Sequence, residues 1–510
     1  MLNPTKETLD LAKTALRNGL TKEEALAKNV TVGTGLVYYD LQAPAKNLYP
    51  VITPLRNSIP RVTRPEGYGD SAKWKQITSI VGSGYDAMGW VPEGQRSGTM
   101  SYNAVQKTSG YFTLGEEDNA SFEAIRAGQG FEDVLATDSL RTLQKMMLKE
   151  EHALLGGNGS GIALGIPTAP TLSASGTGAT LPAATYSVIV VALTYEGIKN
   201  SSTANGVATT KTITGADGKT FVLNGGSSNK SSNTTQAATL GQTLFASTPT
   251  IAGAVGYAWF IGAAGSETLQ AITTLNSVAI TAPLATGRQA ATAVTQDSSG
   301  NPGLAFDGLL TQAFNTNNLA YVNTLATGTA GTGTTLTSSG RGSVVEIDNM
   351  LQSMWDNYRI SPTVLYVNSQ ELKNITNKVF QGNSNSSLLR YDTPSDGGMY
   401  SAVAGGTIDT YFNPFGGAGA ERGKTGGVKM PVLVHPNVPA GTIIGYAEHL
   451  PEWYQNNEVP NVAEVITRED YHRIDWPIHS RQKEYGVYAQ ETLAIYATFG
   501  MGVINNIANG

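Results

Sequence analysis

The stretch most suggestive of chemistry is residues 418–425, AGAERGKT, which meets a relaxed phosphate-loop pattern with Ala418 in the first glycine position. Such a loop cradles phosphates only when a strand leads into it and a helix N-terminus follows, so that backbone N–H groups converge on the anion. Here FNPFGG precedes and GGVKMP follows, and Gly426, Gly427 and Pro431 oppose a helix. The segment reads as a surface loop. The five histidines, His152, His435, His449, His472 and His479, contain no metal-spaced pair such as HExxH. Asp470, His472, Asp475 and His479 lie close in sequence, and on a strand positions 470 and 472 share a face. A catalytic carboxylate–imidazole pair also needs a nucleophile, and there is no GxSxG elbow. The group reads as the polar face of a strand. Glu116, Glu117 and Asp118 have the residue types of a metal or acid–base site. Their reading here is a solvated turn, or a patch that pairs with Arg or Lys of a neighbouring copy. Lys73, Lys75 and Lys107 read as protection of exposed strand edges. There is no GxGxxG and no cysteine, so thiolate nucleophiles, disulfides and Cys-based metal sites are excluded. No enzyme activity, metal or cofactor is expected.

Composition explains what these residues are set in. Charged residues are 15% of the 510, against about 25% in ordinary domains, and Gly, Thr, Ser, Ala and Asn fill the difference. That balance implies much β structure, much loop, and large surfaces that do not face bulk water. The length implies two to four domains. The formal net charge of −6 and the absence of any long Lys/Arg run argue against a nucleic-acid footprint. The N-terminus, MLNPTKETLD, has no apolar core of a signal peptide. The most apolar run, residues 186–193 (YSVIVVAL), is far shorter than the ~20 residues of a membrane helix and reads as a buried strand.

The element that must organise the rest is a long helix over residues 131–155. Ala136, Leu140, Leu143, Met147 and Leu154 fall on one expected face, Glu132 and Asp133 suit the first turn, and Gly156 and Gly157 stop it. Before it, residues 5–28 read as two short helices. Residues 30–65 read as an extended arm whose five prolines oppose helix. Residues 70–80 and 100–114 read as the strands of a long hairpin, with Trp74 and Ile80 on one face. Its glycine-rich tip carries Trp90, Glu93 and Arg96. A two-stranded ribbon is marginal alone, so a partner surface is implied. From about residue 167 to 300, short apolar runs alternate with turn clusters, the pattern of an inserted antiparallel β-sandwich. An α/β pattern then resumes: helices at 343–358 and at 369–377 with Ser369 as cap, strands at 363–367, 431–434 and 442–444, and closing strands at 462–478 and 484–497.

Taken in this order, the parts resemble the major capsid proteins of tailed double-stranded DNA bacteriophages, which have the Hong Kong 97-type fold. SPTVLYVNSQELKNI (361–375) resembles the family's strand-then-helix unit. MPVLVHPNVPAGTIIGYAEH (430–449) resembles its strand–turn–strand, and residues 466–500 resemble its closing strands. Residues 167–300 resemble an immunoglobulin-like or fibronectin-type-III module. The resemblance implies an α+β fold. Its parts would be an N-terminal arm (1–63), an extended β-hairpin or E-loop (64–115) and a peripheral domain with a spine helix (116–165). There follow an inserted immunoglobulin-like sandwich (166–300), an axial domain (301–460) and the closing strands of the peripheral domain (461–510).

The function so implied is a structural subunit that assembles into hexamers and pentamers of an icosahedral shell around a phage genome. It would assemble in the bacterial cytoplasm, bind no membrane, and enclose double-stranded DNA without sequence-specific binding. A separate scaffolding protein, a portal and a decoration protein would be partners. Net negative charge suits this role, because a basic lining would hold DNA through counterion release and hinder packing. Trp74, Trp90, Glu93, Arg96, Glu116 and Glu117 are the expected inter-subunit contacts. The alternatives are an encapsulin-like cellular compartment and a binding protein whose β-sandwich recognises glycans.

Overall fold

The computed structural model describes residues 50–64, 69–81, 93–96, 101–128, 133–160, 163–215, 217–300, 305–340, 342–381, 390–392, 401–403, 407–415, 428–451 and 460–510. The paired N-terminal helices, most of the arm, Trp90 and the loop at 418–425 lie outside them.

The expected long helix spans Val134–Gly156. Asp133 caps it, its carboxylate accepting from the Ala136 amide at 3.2 Å. The helix ends where a side chain would not fit: a Cβ on Gly156 would sit 2.2 Å from the Tyr195 ring. Its buried face differs from the expected one. Leu140 is 55% exposed, whereas Thr142, Met146, Glu150, Glu151, Leu154 and Leu155 are buried. An apolar stripe alone cannot reveal this, because two of the inward positions are glutamates whose charge is satisfied by other segments.

The helix lies on a four-stranded sheet in the order Arg61–Thr63, Ala463–Asp475, Gln482–Ile495, Phe112–Ser121. The first pair is parallel and the others antiparallel. Met146 packs there with Val487, Ala489, Leu114 and Leu143. The expected arm is not extended throughout. Pro54–Ser58 forms one helical turn with Pro54 at its first position, where a missing N–H costs nothing, and Leu55 and Ile59 enter the main core.

A six-stranded mixed sheet holds the centre of that core. Its order is Tyr321–Thr324, Met501–Asn505, Ile443–Tyr446, Val364–Val367, Val428–Val434, Thr410–Asn413. Three of its strands, Met501–Asn505, Ile443–Tyr446 and Val364–Val367, are buried at every position, as strands covered on both faces require. The helix Val345–Tyr358 packs on it through Met350 and Met354. Gly445 and Gly502 leave the room: a Cβ on Gly502 would lie 2.5 Å from the Met350 sulfur. Two expectations change here. The final strand, Met501–Asn505, belongs to this sheet and not to the closing strands of the other one. The helix Ser369–Gln381 extends past 377 and is capped by Asn368, whose side chain accepts from the Gln370 amide at 3.0 Å, rather than by Ser369.

Between the spine helix and this sheet, the chain forms a two-stranded ribbon, Thr210–Thr214 with Thr220–Asn224, and two larger sheets. One has three strands (Ser277–Ile280, Thr243–Ser247, Thr171–Ser175) and the other four (Thr268–Thr273, Gly256–Gly262, Ala184–Leu193, Thr234–Ala238). Trp259, Val188, Val190, Leu244 and Val278 share the core between them. The other face of the four-stranded sheet is also covered, with Val191, Phe260, Val207 and Val294 in a second cluster. Burial on both faces accounts for the unbroken apolar run at 186–193. The chain enters and leaves this region through two segments pinned together. Asp297 accepts from the Gly165 amide at 2.7 Å, and Asp307 accepts from the Gly159 and Ser160 amides at 2.8 and 2.7 Å.

Candidate assembly surface

The long hairpin pairs Ser71–Val81 with Ser101–Gly110. A register shift between Ile77 and Ser79 interrupts the ladder, and the expected shared face of Trp74 and Ile80 rests on the Ile80 side chain, which lies outside the described ones. The outgoing strand is also shorter than expected. The chain breaks at Tyr111 and re-enters the four-stranded sheet at Phe112. The hairpin is attached at its base. Ala72 is buried with Ile466 and Ala494. The Trp74 ring meets the edge of Tyr496 with centroids 5.8 Å apart. Ser109 and Thr492 share a hydrogen bond of 2.6 Å, and Lys107 donates to Asn318 at 3.1 Å. Beyond this base, Lys73, Lys75, Asn103, Ala104, Val105, Gln106 and Thr108 are exposed. These exposed strand residues face whatever lies beside the subunit. At its tip Glu93 and Arg96 stand exposed in a turn held by Gly94 at φ +80°.

The acidic trio is not a turn. Glu116, Glu117 and Asp118 lie within the strand Phe112–Ser121, paired with Val487, Gly486 and Tyr485. Glu116 binds Lys145 and Lys149 of the spine helix, and these bonds hold its carboxyl below the usual range against the opposing effect of burial. Glu117 accepts from the Tyr488 hydroxyl. Both carboxylates are thus engaged within the subunit, as is Trp74, whereas Glu93 and Arg96 are not buried by it. Of the 470–479 group, Asp470, His472 and Asp475 lie on the strand Ala463–Asp475, with His472 half-buried, and His479 lies past its end. His472 bonds the Asp470 carbonyl at 3.0 Å and lies 3.7 Å from the Glu469 carboxylate.

Sequence reasoning missed the polar centre that attaches the arm. Glu151, fully buried, accepts from the Leu55 amide at 2.9 Å and the Arg56 amide at 2.8 Å, and meets His435 Nε2 at 2.6 Å. One carboxylate therefore caps the short arm helix and ties it to the spine and to the six-stranded sheet's loop. Its neighbour Glu150 binds Arg56, Arg61 and the Tyr471 hydroxyl. Arg61 reaches on to Glu491 at 2.8 Å and Asp470 at 3.1 Å. Burial, then the nearby Glu150 charge, push the Glu491 carboxyl up to about 7. Neither arginine nor glutamate spacing signals this centre, since Arg61 and Glu491 are 430 residues apart. Among the described residues no group of His, Cys, Asp and Glu could hold a metal ion. No described helix is long and apolar enough to cross a membrane.

No protein-family model matches the chain, and no curated protein sequence matches it. Similar solved structures include the capsid of a native GTA particle, at 10% identity and TM-score 0.43, covering 94% of this chain and 98% of that one. The capsid of Myoviridae phage XM1 aligns at 8% identity and TM-score 0.39, covering 94% and 100%. The holo-SrpI encapsulin complex from Synechococcus elongatus PCC 7942 aligns at 10% identity and TM-score 0.37, covering 91% and 93%. Scores below 0.5 do not establish a common fold.

Proposed function

We propose that the chain is the structural subunit of a closed protein shell, the major capsid protein of a tailed phage with the Hong Kong 97-type fold. The observation that carries this reading is the long hairpin attached at its base, with residues 103–106 exposed beyond it. A two-stranded ribbon does not hold itself in water, and the subunit buries little of this one. A neighbouring copy is the surface that completes it. The exposed tip residues Glu93 and Arg96, together with Trp90 on sequence grounds, are the contacts proposed there. Trp74, Glu116 and Glu117 are proposed to act indirectly, by orienting the ribbon's base and the strand that follows it.

The rest of the architecture supports the same reading. A spine helix on a sheet built from the hairpin's continuation and the C-terminal strands gives a rigid base for the ribbon. The six-stranded sheet with its helices forms the second, axial body. The facing three- and four-stranded sheets are read as an immunoglobulin-like insertion between them. Hexamers and pentamers of such a subunit, with a separate scaffold, a portal and a decoration protein, would enclose double-stranded DNA.

Electron microscopy of the protein expressed alone, and again with its neighbouring genes, tests this. Closed shells or hexamer and pentamer rings in either preparation are expected. A monomer or dimer in both would overturn the reading. Nucleic acid inside the shells would separate a capsid from an encapsulin-like compartment, which would hold a cargo protein.

A further inference from the structure

A cavity of about 850 Å³ lies between the spine helix and the region of residues 195–211. That is the size of a small-ligand site. Its walls are cationic although the chain is net negative. The spine helix contributes Arg141, Lys145 and Lys149, four residues apart and so on one face. Lys199 comes from the helix Tyr195–Asn200 and Lys211 from the strand Thr210–Thr214. His152 sits among them, with Leu148 and Val51 as apolar floor.

The compensating acids are few and are placed on one side. Glu116 takes Lys145 and Lys149, and Asp138 lies 3.5 Å from Arg141. Lys199 and Lys211 form no ion pair among the described residues, although Glu196 feels the charge of Lys211. Lys199 instead lies 5.8 Å over the Tyr195 ring. Both lysines are exposed at the rim, where a ligand can reach them. Burial, then Lys199 and Lys211, lower the His152 imidazole to about 4. Residues 1–49, which precede Val51, carry six Lys or Arg against five Asp or Glu. The chain's own N-terminal segment therefore has no surplus of negative charge with which to fill it.

We propose that this cavity binds a phosphate-bearing anion, with Lys199 and Lys211 as its direct ligands and the spine-helix cations setting the field. Compact multivalent anions suit it, because several ammonium groups converge on one volume. The same chemistry has two sources: a free oligophosphate or nucleotide, and the backbone of a nucleic acid. The site is independent of whether the subunit forms shells.

The test uses the full chain at about 50 mM salt, where phosphate contacts are least screened. Tripolyphosphate and a 12-nucleotide single strand are titrated separately by calorimetry, and the His152 ring is followed by NMR across pH. Binding is expected to raise the His152 titration. The double variant Lys199→Ala/Lys211→Ala is expected to lose affinity by about tenfold or more, the scale of a lost charge-assisted contact. Lys199→Arg/Lys211→Arg should retain binding, and Lys219→Ala, paired with Asp217 outside the cavity, should not change it. Saturable tripolyphosphate binding with this dependence assigns a free oligophosphate. Oligonucleotide binding alone, with the same dependence, assigns nucleic acid. Absence of binding by both probes, or binding that survives the double alanine variant, overturns the proposal.

Discussion

Glu151 is a fully buried carboxylate with three partners on two other segments, and its removal would leave two amides and an imidazole without their acceptor. Breaking a buried charged centre by deleting one member costs roughly 3–5 kcal/mol. Glu151→Ala is therefore expected to lower subunit stability by about that much in denaturant unfolding, and to expose the 50–64 segment to protease before the rest. A loss below about 1 kcal/mol would mean that the arm is held by Leu55 and Ile59 alone. Glu371 makes a separate prediction about pH. It is buried, accepts from the Gly441 amide at 3.0 Å and from Asn374 at 3.2 Å, and burial pushes its carboxyl up to about 7. Its folded value lies above its unfolded value of 4.5. The folded chain therefore holds a proton that the unfolded chain has lost between those two limits. The resulting stability is full below about 4.5 and is lost as pH rises to about 7. Glu371→Gln keeps an oxygen for the Gly441 amide and removes the titration. The variant should match the parent at pH 4.5 and exceed it at pH 8, by up to about 3 kcal/mol. Equal stability of the two at both pH values would contradict the raised carboxyl.

At the scale of elements, what was legible follows from local pattern. The spine helix was readable from its caps and stops, the ribbon from its glycine-rich tip, and the buried strand at 186–193 from its unbroken apolar run. The illegible parts are those fixed by distant partners. Leu140 is expected inside and is exposed, and the buried Glu150 carries no signal, because periodicity weighs residue type and cannot see Arg56 or Arg61 arriving from the arm. Pro54 looked like a breaker and is a helix start. Met501–Asn505 continues the chain after Gln482–Ile495 yet joins another sheet, since its register with Tyr321–Thr324 is a long-range match. The inserted region carries the clearest consequence. Its ends are joined by the 2.7 Å bond between Gly165 and Asp297, so residues 166–296 can be replaced by a short Gly-Ser linker. They are not a free appendage. Tyr195 and Val255 belong to the main core. Asn276 and Asn506 exchange hydrogen bonds at 3.0 and 3.1 Å, with Asn506 held at φ +61°. The excised chain should fold but melt several degrees lower, as loss of buried contacts at a domain boundary requires. An unchanged melting temperature would show that the inserted region only hangs from the body.

At the scale of the whole molecule, the ribbon separates folding from assembly. Its described side chains include one buried residue, Ala72, and its attachments include Trp74 on Tyr496 and two polar bonds. Residues 71–110 begin and end side by side, Ser71 opposite Gly110, so a two-residue turn can replace what lies between them. The subunit should lose little by this: about 1–3 kcal/mol, the range of a few lost contacts. The four-stranded sheet keeps its strand Phe112–Ser121, because that strand is held by its own ladder to Gln482–Ile495. Contacts between copies respond differently. A shell forms from many weak contacts repeated at every subunit, and an element lost from each is lost everywhere at once. The shortened chain is expected to unfold cooperatively within a few degrees of the parent and to sediment as a small species under conditions where the parent forms shells. Shells of normal yield from the shortened chain would remove the ribbon from the assembly and with it the main support for the capsid reading. An unfolded product would show instead that the ribbon's base is part of the subunit's own core, and the double substitution Trp90→Ala/Arg96→Ala, which leaves that base intact, would then decide between the two roles.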